Sequence, residues 1–280
     1  MNRYQEIFLD IDGTLTAPGT FTPPESAMEA IHKAQAAGHK VFLCTGRTPL
    51  LVRPFENMGF DGIIGASGGF IRCGDEIIFD RRLTLEQQKR IFEVFDRCGM
   101  HYIVEGTVHN YADDGFRDFV LERIHEDANS EALAWRRRLE RLGTLPISSA
   151  GSEQFYKMVF MVESTAQLQG PLAELGKEFN LQIQDSGPGI GYANGELIPF
   201  DYDKGQGVLR VCRYLGVDPA DTYGFGDSMN DVEMIKTVGV GCCMANGSPT
   251  LKKLADRICP PVEEDGLYKA FEEFRLFEKA

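Results

Sequence analysis

Four carboxylates, a lysine, a threonine and an asparagine stand in this sequence where chemistry on one small ligand would need them. Asp10 and Asp12 are two residues apart, behind the apolar run Ile7-Phe8-Leu9 and ahead of Gly13-Thr14. In an extended chain alternate side chains share a face, so the two point the same way. Paired carboxylates repel. They persist when a cation neutralises them, and such oxygen ligands suit Mg²⁺, or when one stays protonated for acid/base work. Further on, Thr45-Gly46 follows the apolar run 41–44, Lys204 lies within Asp203-Lys204-Gly205, and Asp227-Ser228-Met229-Asn230-Asp231 follows 222–226. Taken singly, Thr45 also reads as a helix N-cap, Lys204 as a surface cation and Asp227 as a turn residue. Together they supply a carboxylate nucleophile, a neighbouring acid, a hydroxyl, a cation and more metal-ligand oxygen, the inventory of phosphoryl transfer. The sequence has no Gly-x-Gly-x-x-Gly or Walker loop, so nucleotide-binding folds lack their fingerprint.

The elements that must position these residues follow from the patterning. The run 7–9 reads as a strand buried on both faces, and ligands of open α/β sheets bind outside the carboxyl ends of such strands, where Asp10 stands. Pro23-Pro24, an amphipathic stretch with Ala27, Ile31 and Ala34 on one face, and Gly38 as its stop define a helix, and 41–44 is the next strand. Strand, helix, strand means a parallel pair with a right-handed crossover, which sets Thr45 beside Asp10. A helix from Pro49, a strand at 63–64 and a hairpin of 70–72 with 77–79 follow. From Leu83 the texture changes. Thr84 to Gln87 is a capping box, strand-like segments occur at 102–104, 108–111, 156–162 and 181–184, and helical ones around 116–124, 132–142 and 167–179. This is an α+β unit large enough to be a domain, with Gly187, Gly189 and Gly191 marking a loop-rich return. Helices from Lys204, at 249–255 and at 266–277, with strands 222–225 and 238–242, resume the first rhythm. The expected fold is α/β, a Rossmann-like parallel sheet with helices on both faces built by residues 1–82 and 192–280, with an inserted α+β domain at 83–191.

Composition narrows the function classes. The 280-residue chain carries 29 basic and 42 acidic residues, a net charge of −13, which argues against non-specific nucleic-acid binding. Arg136-Arg137-Arg138 with Arg141 reads as a solvated helix face rather than an anion site. The seven cysteines show no metal-ligand spacing and an odd count, as in reduced cytoplasmic thiols, and Cys242-Cys243 reads as core packing rather than a redox pair. With no signal-peptide pattern and no apolar run of membrane-spanning length, a soluble cytoplasmic protein without membrane partners is expected.

The motifs resemble those of the haloacid dehalogenase-like (HAD) hydrolase superfamily, and within it the Cof-type phosphatases with a type IIB cap. The matching stretches are FLDIDGTL ending at Leu15, TGR at Thr45, DKG around Lys204 and GDSMND at 226–231. Ala66-Ser67-Gly68-Gly69, Met244-Ala245-Asn246-Gly247 and Glu264-Asp265-Gly266 also resemble that subfamily. Ala66 departs from the Asn frequent there, and Cys242-Cys243 stands where small apolar residues are usual. The resemblance implies that Asp10 attacks phosphorus to form an aspartyl-phosphate and that Asp12 acts as acid and then base; the like charge of Asp10, two residues away, would favour the protonated form of Asp12 against the opposite pull of Mg²⁺. It implies Mg²⁺ held by the Asp10 carboxylate, the Asp12 backbone carbonyl and Asp227, with Asp231 in support, and Thr45, Gly46, Lys204 and Asn230 on the phosphoryl oxygens. The partner would be a small phosphorylated metabolite, a sugar phosphate or similar, chosen by residues 83–191. A phosphomutase on the same core would need a captive bisphosphate intermediate. A phospho-accepting switch of the bacterial receiver type would carry its acceptor on a later strand and lack both Asp12 and a cap.

Overall fold

The computed structural model describes residues 5–125, 128–141, 143–184 and 191–279. The Arg141 side chain, Gly187 and Gly189 lie outside them. The first segment runs β1 (Glu6–Leu9), α1 (Glu25–Ala37), β2 (Lys40–Cys44), α2 (Pro49–Val52), β3 (Gly62–Gly65), β4 (Phe70–Cys73) and β5 (Glu76–Asp80). The middle of the chain adds α3 (Leu85–Arg97), β6 (His101–Glu105), β7 (Asn110–Ala112), α4 (Phe116–Arg123), α5 (Ser130–Arg141), β8 (Thr144–Pro146), β9 (Met158–Val162), α6 (Gln169–Leu175), β10 (Phe179–Ile183) and β11 (Ala193–Pro199). The last segment is α7 (Lys204–Leu215), β12 (Thr222–Gly226), α8 (Val232–Thr237), β13 (Val240–Met244), α9 (Pro249–Leu254), β14 (Arg257–Cys259) and α10 (Gly266–Glu273).

The first sheet has the order β14-β13-β12-β1-β2-β3-β4-β5, parallel from β14 to β3 and antiparallel through the β4/β5 hairpin. Its strands are apolar on both faces because both are covered. Ile7 and Leu9 pack with Ala27 and Ile31 of α1 and Phe271 of α10, while Phe8 faces Val208 and Val211 of α7 and Met234 of α8. Register does the rest. Leu9 pairs with Leu43 on one side and Phe225 on the other, so the chain leaves β1, β2 and β12 at one edge with Asp10, Thr45 and Asp227.

The second sheet, β10-β11-β9-β6-β7-β8, carries α3 and α6 on one face and α4 and α5 on the other, where Leu51 of the first domain joins Phe116, Trp135 and Tyr192. The expected boundary at 191/192 moves here. Residues 193–199 form β11, buried between β10 and β9, and the first domain resumes only at α7. Gly195 of this strand serves packing, because a Cβ on it would lie 2.2 Å from the Gln182 carbonyl and 2.6 Å from the Phe160 ring. The linkers at 81 and 201 are tied by an Arg81–Asp201 ion pair of 3.1 Å.

Candidate active site

Asp10 stands one residue past β1, its amide donating to the Phe225 carbonyl at 2.9 Å, and its carboxylate is buried. Lys204, the first residue of α7, is fully buried and donates to Asp10 Oδ1 at 2.7 Å and to Asp231 Oδ1 at 2.6 Å. The other oxygen of Asp231 accepts the amides of Asp227 and Ser228 at 2.9 and 3.0 Å, which fixes the turn after β12. Asp10, Asp227 and Asp231 each offer a carboxylate oxygen within 4.8 Å of the others. Burial pushes Asp10 well above the usual carboxylate range, and the like charges of Asp231 and Asp12 add to it against the pull of Lys204. Burial also opposes charge on Lys204, but the two carboxylates hold its pKa up.

The backbone around this cluster is shaped for close approach. Gly13 has φ +87°, and a Cβ there would sit 2.2 Å from Asp227 Oδ2. Asn246 Nδ2 donates to the Gly13 carbonyl at 2.8 Å, tying the loop after β13 to the one after β1.

Asp12 is in a different environment from the one expected. Its Oδ1 accepts from Gly19 N at 2.8 Å and Arg47 Nη2 at 2.7 Å, and its Oδ2 from Arg47 Nε at 2.8 Å and Arg138 Nη2 at 2.7 Å. Burial alone would raise its pKa, but the two guanidiniums overturn that and hold it well below the usual carboxylate range. The expectation that Asp10 keeps Asp12 protonated is therefore corrected: in this arrangement the two guanidiniums favour the ionised form of Asp12. The reading of the arginine run as a solvated face is corrected too. Arg138 is 3% exposed and reaches Asp12, Arg137 donates to the Pro18 carbonyl at 2.9 Å, and Arg136 donates to the Leu121 and Ile124 carbonyls. Composition alone does not distinguish an arginine in water from one turned inward.

The phosphate-binding candidates meet from three segments. Thr45 Oγ1 accepts the Arg47 amide at 3.1 Å. A Cβ added to Gly46 would fall 3.1 Å from Lys157 Nζ and Glu196 Oε1 and 3.2 Å from Asn230 Nδ2, so Gly46 and Asn230 adjoin two residues of the second domain. Lys157 and Glu196 form a buried ion pair, and Glu196 Oε2 accepts from Ser67 Oγ at 2.6 Å. Glu105 Oε2 accepts the amide and hydroxyl of Thr48 at 2.8 and 2.5 Å. The sequence reading missed Glu105, Lys157, Glu196 and Arg138. Arg47 lay in plain view in the Thr45-Gly46-Arg47 motif. Among the described residues, the buried carboxylates here are those of Asp10, Asp12, Asp227, Asp231, Glu105 and Glu196, and the buried cations Lys204, Arg47, Arg138 and Lys157. Acid groups outnumber bases by two, the charge of one divalent ion.

Comparison with known proteins gives the family. Residues 7–271 match the haloacid dehalogenase-like hydrolase family. The chain belongs to that family. A Bacillus subtilis protein named as a candidate phosphatase, YkrA, is 30% identical, the match covering 97% of this chain and 98% of that one. The B. subtilis 5-amino-6-(5-phospho-D-ribitylamino)uracil phosphatase YcsE is 26% identical over 96% of this chain and 98% of its own. Among solved structures, the HAD subclass IIB sugar phosphatase BT4131 superposes with a TM-score of 0.74 at 22% identity, covering 97% of this HAD hydrolase and 99% of itself. That likeness shows the shared fold, a parallel α/β core with a type IIB cap. No described helix of this hydrolase is long and apolar enough to cross a membrane.

Proposed function

We propose that this HAD hydrolase is a Mg²⁺-dependent phosphomonoester hydrolase acting on a small phosphorylated metabolite, a sugar phosphate or similar, through an aspartyl-phosphate on Asp10. The observation that carries the reading is the convergence of Asp10, Lys204, Asp227 and Asp231 at one sheet edge, with three carboxylate oxygens within 4.8 Å. Relatives named as phosphatases support the substrate class.

The carboxylate cluster and its excess of negative charge fit a hard divalent cation. Asp10, Asp227 and the Asp12 backbone carbonyl would hold it with Asp231 in support, and when bound it offsets charge on the phosphoryl oxygens. Asp10 attacks phosphorus and the leaving oxygen departs opposite. Lys204 keeps the nucleophile in place and, with Thr45, Gly46 and Asn230, provides donors for the equatorial oxygens. Asp12 delivers the proton to the leaving oxygen and takes one from the attacking water. The hold of Arg47 and Arg138 favours the second of these roles until substrate enters. Residues 83–199 close over this edge and select the substrate, as Glu105, Lys157 and Glu196 lie against Thr48, Gly46 and Ser67.

A phosphometabolite panel assayed for phosphate release with Mg²⁺ tests the reading. Release expected from several monophosphates should vanish in Asp10→Asn. Turnover that persists in Asp10→Asn, or a wild-type enzyme inert toward every monophosphate, would overturn it.

A further inference from the structure

Asp12 is held partly by the other domain. Of its four hydrogen bonds, the one from Arg138 comes directly from α5 of the inserted domain, and the one from Gly19 depends on α5 through packing. Gly19 has φ +72°, and a Cβ on it would lie 2.8 Å from Arg137 Cβ and 3.0 Å from the Ala134 carbonyl, so α5 rests on the backbone whose amide bonds Asp12. One residue earlier, the Pro18 carbonyl accepts from Arg137 at 2.9 Å. Successive residues of α5 thus grip the loop after Asp12 and Asp12 itself.

Arg138 belongs firmly to its own domain. Its guanidinium lies 5.1 Å from the ring centre of Trp135, one turn back on α5, and its Nη1 is 3.9 Å from Glu105 Oε1. A long side chain fixed at both ends loses little further freedom on meeting Asp12, so its position follows the position of α5.

From these two independent contacts we propose that Arg138 is a positioning residue, and that docking of α5 assembles the acid/base Asp12. With the domains apart, Asp12 loses Arg138 and the support beneath Gly19, and keeps Arg47 alone. Proton transfer is then restricted to the docked state, while the phosphorus-attacking Asp10 and its partner Lys204 belong wholly to the first domain. The inference rests on the proposed role of Asp12 as acid and base.

The test separates it from that role. With 4-nitrophenyl phosphate, whose leaving group needs no proton, Arg138→Ala should keep the burst of nitrophenolate within about three-fold of the wild-type rate and slow the following hydrolysis of the phosphoenzyme, the step that uses Asp12 as base, about a hundred-fold, the usual cost of a misplaced catalytic group. Arg138→Lys should recover part of the hydrolysis rate, and Gly19→Ala should show the same hydrolysis-selective loss with the thermal transition retained. Equal losses in burst and hydrolysis, or none in either, would overturn the proposal; wild type and Asp10→Asn in the same assay report separately on the hydrolase reading. A second readout needs no turnover. Trp135 is the sole tryptophan and is buried beneath Arg138. Asp12→Ala should raise its quenching by acrylamide as α5 loosens, and unchanged quenching would contradict a bridge between the domains.

Discussion

The ammonium of Lys204 bridges Asp10 and Asp231, 2.7 Å from one carboxylate and 2.6 Å from the other, with no solvent exposure of its own. Removing one partner of such a group leaves buried charge uncompensated. Lys204→Met should therefore abolish phosphate release and lower unfolding free energy by about 3–5 kcal/mol in chelator. Denaturant titration measures the second effect. A loss within about 0.5 kcal/mol, the scale of a surface change, would show that the ammonium does not balance these carboxylates.

Gly13 joins metal affinity to backbone shape. Gly13→Ala forces a Cβ into the Asp227 carboxylate at a positive φ, so that carboxylate must leave its present position. The variant should fold, need at least about ten-fold more Mg²⁺, equivalent to about 1.4 kcal/mol, and lose most of the rise in melting temperature that Mg²⁺ gives the wild type. Excess chelator should stop wild-type turnover, and Mg²⁺ should restore it. Unchanged Mg²⁺ affinity measured by calorimetry would place the ion elsewhere.

Away from the site, His39 gives the first domain a pH dependence. Burial lowers its pKa, and its Nδ1 accepts the Gln5 amide at 3.0 Å, a bond that protonation would break. A group depressed in the folded state contributes stability above its unfolded pKa of about 6.5 and loses it as pH falls from there toward the folded value. His39→Asn keeps an acceptor but cannot titrate, so its stability should fall less than that of the wild type between about pH 6.5 and pH 5. Parallel denaturant midpoints for the two proteins across that range would remove His39 as the cause.

How much was legible in sequence depended on whether a residue's setting is local. β1, β2 and β12 announce themselves as apolar runs ending in Asp10, Thr45 and Asp227, because a strand buried on both faces must be apolar and its carboxyl end opens on the ligand edge. The cap of α3 was equally plain, with Thr84 and Gln87 exchanging both capping bonds. β11 was not, since Glu196 is tolerated in a buried strand only through Lys157 and Ser67, partners 39 and 129 residues away. Arg138 was missed for the same reason. Its carboxylate partner lies 126 residues off, and no spacing along α5 marks which of three adjacent arginines turns inward. The corrected readings of Asp12 and of the arginine run share that root: the carboxylate of Asp12 is held by guanidiniums from outside its own motif.

The most direct test of the central claim is to trap the phosphoenzyme. Asp12→Ala keeps the nucleophile and lacks the base, so mixed with Mg²⁺ and 4-nitrophenyl phosphate it should release one equivalent of nitrophenolate and then stall. Mass spectrometry of the acid-quenched protein should find phosphate on Asp10 and hydroxylamine should remove it. Continued turnover of this variant with no burst, or phosphate found on a residue other than Asp10, would contradict the account.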